Sequence, residues 1–241
     1  MPNRQGLQAG DTVQAEKISL EVAKFYDRLV FPSRSSHFRY REFLPERPGE
    51  RVGDFGCGQS IFHDALREYA PPPTFLDISR NVLGTIDRGN RICADLRHLP
   101  FRDATYDRIL CIGVVHHLPE RSTALREMAR VLVPGARLFL GVYAPRTLNA
   151  RLRRLHDALP YRPWQGLVSF LTVELIHLRH LLSGKSLTRE DLHMRADDFL
   201  KVPFVQYADP RTYAAEAESL GLRLLEVHRI SAMNILEFQR T

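Results

Sequence analysis

The sequence lacks most of the devices that brace a chain from outside. Three cysteines stand in 241 residues, at positions 57, 93 and 111. The count is odd and no CxxC pair occurs, which argues against a disulfide framework and a cysteine-rich zinc site. A cytoplasmic location is the default that follows. No apolar run approaches the roughly 20 residues needed to cross a bilayer. The longest, Ile109–Val115, stops at His116 and His117. The opening stretch MPNRQGLQAGDTVQ has no apolar centre, so no secretory leader is expected. No Gly-Lys-Ser/Thr follows the Gly56-Cys57-Gly58 turn, which excludes a Walker loop there. Of 34 basic residues only 4 are lysine.

What is present suits one large domain, or one domain with an insertion. Hydrophobic residues make up 44% and charged residues 26%, close to an ordinary globular chain. The net charge of +6 is uneven. Residues 144–163 hold Arg146, Arg151, Arg153, Arg154 and Arg162 against Asp157 alone. Such a cluster suits RNA, an anionic small substrate or a membrane surface; a solvated helix face is the plainer reading and comes first.

Four stretches are distinguished by periodicity. Residues 1–49 read as an N-terminal helical cap. Residues 1–11 are expected to be disordered, 12–30 form an amphipathic helix ended by Pro32, and 34–44 form a second helix. Residues 50–144 alternate strand and helix. Strands are expected at 51–55, 74–76, 91–94, 106–112 and 137–143, and helices at 61–69, 80–86 and 122–132, the last stopped by Pro134-Gly135. Alternation of this kind implies parallel pairing with right-handed crossovers. Residues 145–205 break the rhythm as a helical insertion. In it Val168, Leu171, Leu175, Leu178 and Leu182 form a stripe at heptad-like spacing, which suits a lid, a substrate cap, a dimer surface or a helix packed on the core. Residues 206–241 supply a helix and two strands joined by a very short turn, so one strand runs antiparallel to the rest.

The strongest chemical signal is VGDFGCGQS, residues 52–60. A strand ends in Asp54, and Gly56, Cys57 and Gly58 turn the chain into a helix. Glycines there allow unusual dihedrals and close ligand approach, and the helix start aims free N–H groups at a ligand. The third glycine of a dinucleotide fingerprint is replaced by Ile61, which disfavours a nicotinamide cofactor. The second signal is FLDIS: Asp77, followed by Ile78, ends the next strand 19 residues after Gly58. Its carboxylate suits the two hydroxyls of a ribose, or else a helix N-cap. The third is CADL, where Asp95 suits an exocyclic amino group and Leu96 a ring face; an ordinary turn aspartate is the alternative. The fourth is CIGVVHHLP, with Gly113 at the strand end where open α/β sheets bind ligands.

In this order the stretches VGDFGCGQS, FLDIS, ICADLRHLPF, YDRILCIGVVHHL and LREMARVLVPGARLFLGVY resemble the class I methyltransferases that use S-adenosylmethionine, especially the ubiquinone and menaquinone methyltransferase branch. The resemblance covers about residues 50–143. It departs from the common pattern at Ser60 and Ala136, where glycine is frequent. It implies a Rossmann-like, mostly parallel seven-stranded sheet with an antiparallel C-terminal hairpin strand, N-terminal helices and a helical insertion after the fifth strand. It also implies S-adenosylmethionine as cofactor, with Asp54, Gly56 and Gly58 at its methionine end, Asp77 at the ribose, and Asp95 with Leu96 at the adenine. VVHHL followed by a basic insertion is similar to tRNA wobble-uridine methyltransferases as well.

A methyl on a sulfonium is already activated, so alignment of the acceptor dominates the task. His116 is the first candidate general base and His117 the second, each with structural packing as its alternative. Tyr26, Tyr40 and Tyr207 are candidates to reach an acceptor, or to serve as aromatic core. His177 and His180 share a helix face, but no further ligands accompany them, so no metal is assigned. The expected acceptor is a small molecule, natural-product or lipid-like. RNA contacted through the Arg146–Arg162 stretch is the alternative, and a partner protein without turnover the third. No membrane span is expected, and the insertion stripe suits a homodimer.

Overall fold

The computed structural model describes residues 9–29, 38–45, 47–66, 68–160, 162–182, 188–230 and 233–241. Among them seven strands share one sheet: β1 (Val52–Phe55), β2 (Thr74–Asp77), β3 (Asn90–Cys93), β4 (Tyr106–Ile112), β5 (Leu132–Tyr143), β6 (Leu222–Ile230) and β7 (Met233–Arg240). Their order is β3-β2-β1-β4-β5-β7-β6. Neighbours from β3 to β5 pair in parallel, and β7 pairs antiparallel with both β5 and β6. This is the Rossmann-like sheet expected from the sequence, with β7 alone reversed.

The central strands are apolar on both faces because both faces are covered. Ile109, Cys111, Leu138 and Leu140 join one core with Phe55, Leu125, Met128, Tyr213 and Phe238. The alternate residues Leu110, Phe139 and Ile235 join Phe43, Phe62, Leu66 and Phe75 on the other side. That alternation is the period of two expected of a pleated strand. From β1 the chain returns on one side to β2 and later enters the other side at β4. A crevice therefore opens at the carboxyl ends of β1 and β4, where the glycine turn lies.

Eight α-helices flank the sheet among the described residues: α1 (Ala9–Arg28), α2 (His63–Leu66), α3 (Arg80–Leu83), α4 (Arg121–Val131), α5 (Leu148–Ala158), α6 (Arg162–Leu182), α7 (Arg189–Leu200) and α8 (Pro210–Glu218). Several expectations change. Residues 9–11, read as disordered, belong to α1. The second N-terminal helix is a 3₁₀ turn, Phe38–Phe43, while residues 1–8, Pro32 and 34–37 lie outside the described residues. α2 and α3 are single turns, shorter than their apolar spacing suggested. Pro134-Gly135 does not stop α4. That helix ends at Val131 and passes directly into β5, where Tyr106 pairs with Leu132 and Arg108 with Arg137. The intervening bulge takes up the proline, and Gly135 with φ +81°.

α5, α6 and α7 pack together through Leu152, Val173, Ile176, Leu192, Ala196 and Leu200. The stripe read along residues 168–182 is not what they bury. Val168 is buried, but Leu171, Leu175, Leu178 and Leu182 are exposed. The residues that pack inward lie on the opposite side of α6. The His180 side chain, half of the His177–His180 pair, lies outside the described residues.

Candidate active site

A cavity of about 350 Å³ opens over the crevice between β1 and β4, within the usual range for a small-ligand site. Its floor is the turn after β1. Gly56 and Gly58 have φ of +68° and +52°, a region that costs most residues dearly. The Gly56 and Cys57 amides donate to the Leu76 carbonyl at 2.7 and 3.0 Å, which fixes the turn against β2. A side chain at Gly56 has no room, since a Cβ there would stand 2.5 Å from a Val114 methyl. Gly113, with φ +85°, closes β4 with nothing nearer to such a Cβ than the Met233 Cε at 3.7 Å, which leaves its backbone open to a ligand.

Asp77 is buried yet lines the cavity. One carboxylate oxygen accepts from the Gly58 amide at 2.8 Å and the other from the Ser79 amide at 2.9 Å. The N-cap of α3 is Ser79, whose hydroxyl accepts from the Val82 amide. Asp77 thus ties two loops and leaves capping to its neighbour. Burial pushes its carboxyl above the usual range despite those amides. Ile78, more exposed, lies beside it in the lining.

Ala94, Asp95 and Leu96 line the next edge. Asp95 accepts from the Arg97 amide at 2.8 Å and pairs with its guanidinium at 2.7 Å. Arg97 is itself buried and reaches Glu120 at 2.9 Å. Burial alone would raise the Asp95 carboxyl; the Arg97 hydrogen bonds outweigh it and hold it below the ordinary value. An Arg97→Ala variant strands two carboxylates with no counterion, at a cost of about 3 kcal/mol. Thermal unfolding is expected to shift down by roughly 10 °C for a chain of this size. An unchanged midpoint would show the pair to be dispensable.

Asp54 departs from its expected place. It does not line the cavity but sits buried beneath the glycine turn, accepting from the Ser60 hydroxyl at 2.5 Å. Burial raises its carboxyl to about 7, with the Ser60 hydrogen bond pulling the other way and Asp77 adding to the rise. Ser60 faces the cavity in its stead.

The two histidines separate in the same way. They occupy the 3₁₀ turn Val115–His117, in which successive side chains diverge by about 120°. His116, the first candidate base, points inward. It is fully buried between the rings of His117 and Tyr143, at 4.2 and 4.1 Å, and is not in the cavity lining. His117 does line it. Its Nδ1 lies 2.9 Å from the Phe204 carbonyl, which can only accept. The ring proton is therefore on Nδ1, and the Nε2 lone pair faces the Tyr26 hydroxyl at 2.9 Å.

Two further residues complete this wall, and neither was singled out from the sequence. Asp198 of α7 accepts from Tyr26 at 3.0 Å and from Tyr143 at 3.4 Å, and Arg195 one turn earlier lines the same cavity. Tyr26 has one proton for two acceptors, Nε2 of His117 and the Asp198 carboxylate. Burial raises Asp198, so a proton shared along Asp198, Tyr26 and His117 satisfies all three. Val22, Ala23, Leu29, Tyr40 and Met233 surround the group with apolar surface. Tyr40 donates to the Met233 sulfur at 3.7 Å. Tyr207, the third tyrosine considered, stacks on Tyr143 instead and is absent from the lining.

The arginine stretch divides too. Arg153 is committed to Asp157 at 2.6 Å and to the Val202 carbonyl at 2.9 Å. Arg146, Arg151, Arg154 and Arg162 are exposed.

Residues 53–140 match the methyltransferase domain family. The chain is 36% identical over 164 residues to the probable tRNA methyltransferase 9B of Mus musculus, which covers 59% of this chain and 35% of that one. It is 34% identical over 136 residues to the 27-O-demethylrifamycin SV methyltransferase of Amycolatopsis mediterranei, 49% of each chain. This chain therefore spans half or less of the length of these curated relatives. Its fold matches that of the 1,6-didemethyltoxoflavin-N1-methyltransferase of Burkholderia thailandensis, solved with 1,6-didemethyltoxoflavin and S-adenosylhomocysteine. The TM-score is 0.58 at 14% identity, over 100% of this chain and 94% of that one.

Proposed function

We propose that this chain, whose residues 53–140 belong to the methyltransferase domain family, transfers a methyl group from S-adenosylmethionine to an O–H or N–H group of a small, largely apolar acceptor. The observation that carries the reading is the convergence on one cavity of the glycine turn, Asp77, Asp95 and Gly113 with the Tyr26, His117 and Asp198 group. The backbone of Gly56, Cys57, Gly58 and Gly113 would receive the methionine end. Asp77, beside Ile78, would accept from the ribose hydroxyls, and Asp95 with Leu96 would meet the adenine. The open backbone at Gly113 and the cavity-facing carboxylates fit such a ligand. When bound, the cofactor supplies an activated sulfonium methyl.

The chain's own task is then to hold an acceptor in line, exclude water and take up a proton. The apolar wall of Val22, Leu29, Tyr40 and Met233 supports an uncharged acceptor body. His117 Nε2 is the lone pair positioned to receive the acceptor's proton, and Tyr26 and Asp198 are positioned to spread the resulting charge. His117 takes this role in place of His116.

Calorimetric titration with S-adenosylmethionine tests the binding half. Asp77→Ala removes the acceptor for two hydroxyl donors and is expected to weaken binding by about 100-fold or more. Gly56→Val is expected to abolish it, since its Cβ collides with Val114. Affinity unchanged in both variants would remove the assignment.

An RNA acceptor is the second reading. It is favoured by the exposed Arg146, Arg151, Arg154 and Arg162 and by the likeness to tRNA methyltransferase 9B. Steeply salt-dependent RNA binding, lost on changing Arg151 and Arg154 to glutamate, would select it. Arg153 should be left in place, because it holds the insertion together.

A further inference from the structure

Exposed large hydrophobic residues are concentrated in one place. Of fifteen among the described residues, ten lie between Leu148 and Leu182. Single exposed leucines are ordinary on a protein surface; a contiguous set marks a contact site. On α6, at 100° per residue, Trp164, Leu167, Leu171, Leu175, Leu178 and Leu182 fall within an arc of about 80°. With a rise of 1.5 Å per residue the stripe is roughly 27 Å long. Phe170 and Leu181 widen one margin. Their exposures run from 41% at Leu175 to 82% at Leu182. The helix already buries its opposite side, Thr172, Val173 and Ile176, against α5 and α7. Among the described residues nothing covers the stripe.

The segment that carries it is basic. Residues 144–182 hold six arginines against Asp157 and Glu174. Arg146, Arg151, Arg154 and Arg162 are exposed, and α5 presents Leu148 and Leu155 on the same exposed side as Arg151. No helix among the described residues is long and apolar enough to cross a membrane.

From these observations we infer that α5 and α6 form a docking face for an anionic lipid surface. The stripe enters the boundary between headgroups and acyl chains, and the arginines meet the lipid phosphates. A second copy of the chain fits less well. Two-fold pairing about the middle of the stripe, residue 173, sets Glu174 against the same residue of its mate, two like charges in a closing interface. Glu174 stands on the margin of the stripe, 3.9 Å from His177, where a lipid surface leaves it a route to water. The inference is independent of which acceptor is methylated.

Trp164 is the single tryptophan of the chain, so its fluorescence reports on this face alone. The experiment adds vesicles of phosphatidylglycerol mixed into phosphatidylcholine, with pure phosphatidylcholine for comparison, and follows emission and co-sedimentation. A blue shift and sedimentation with the anionic vesicles only are expected. The double variant Leu171→Glu, Leu178→Glu should lose both while keeping the wild-type unfolding midpoint and cofactor affinity. Arg151→Glu with Arg154→Glu should weaken partitioning on the order of tenfold. No spectral change with anionic vesicles overturns the inference. So does a blue shift that appears without lipid as protein concentration rises, with a doubled mass, since a second copy then covers the face.

Discussion

Replacing His117 by alanine is expected to lower turnover by about 10²–10⁴-fold while cofactor affinity stays within roughly twofold of wild type. His117 lines the cavity with its Nε2 lone pair on the Tyr26 hydroxyl, so a proton from an acceptor can reach it directly or through Tyr26. Burial holds the His117 imidazole down at about 4, only partly offset by its bond to the Phe204 carbonyl. It therefore stays a free base well below the ordinary histidine range. The acid limb of kcat/KM should consequently break near pH 4 to 5, not near 6.5. Asp198→Asn tests positioning: a smaller loss in kcat, with the acid limb moved, is expected, because Tyr26 then loses its charged partner. A His116→Ala enzyme that loses turnover beside an active His117→Ala enzyme would return the role to His116.

The second large effect concerns Asp54. Its carboxyl is raised to about 7 in the folded protein, against about 3.9 when unfolded. The folded state thus holds a proton that the unfolded chain gives up first. That favours folding below pH 4, and the advantage is lost as pH rises through about 7. Asp54→Asn removes the penalty, so the cofactor-free protein is expected to gain stability above pH 7, with a ceiling of roughly 4 kcal/mol. Chemical denaturation at pH 8 and pH 5 checks this: the gain should be large at the first and small at the second. A cationic ligand in the cavity favours the ionised carboxylate, so wild-type binding should release a proton near neutral pH and strengthen as pH rises toward 7. The Asn variant should lose that dependence. An equal gain at both pH values would mean that Asp54 is ionised throughout.

His117 works in the opposite sense over nearly the same range. Its lowered value means that the unfolded chain takes up a proton first, so stability falls as pH drops from about 6.5 to 4, by up to roughly 3 kcal/mol. The Asp54→Asn and His117→Ala variants should therefore tilt the wild-type profile between pH 4 and 7 in opposite directions.

The sheet, and the convergence of Gly56, Gly58, Asp77, Asp95 and Gly113 on one cavity, were legible because their signals are local. A strand followed by Gly-x-Gly, an aspartate closing the next strand and a buried run ending in glycine each specify a place on the sheet without reference to distant residues. What the sequence left open depended on orientation. His116 and His117 are adjacent in sequence, and only the 3₁₀ turn decides which one faces the cavity. Asp54 has the right spacing for a ligand contact but is screened by Ser60, a residue noted only as a departure from glycine. Asp198 carries no motif; it matters because α7 returns to place it beside Tyr26, 172 positions away. The stripe on α6 was correctly read as a helical face, but periodicity states that a face exists and not what covers it.

The cavity is shared between two lengths of chain. Gly56 through Gly113 supply one side, all inside residues 53–140, whereas Val22, Tyr26, Tyr40, Arg195, Asp198 and Met233 supply the other and fall outside them. His117, through Tyr26, and Ser79, through Asp27, tie the first group to the second. On the proposed assignment, the second group can drift, or be transplanted, without disturbing the first. A chimera taking residues 9–45 and 145–207 from another protein of this fold should inherit the foreign choice of target and keep the native donor affinity.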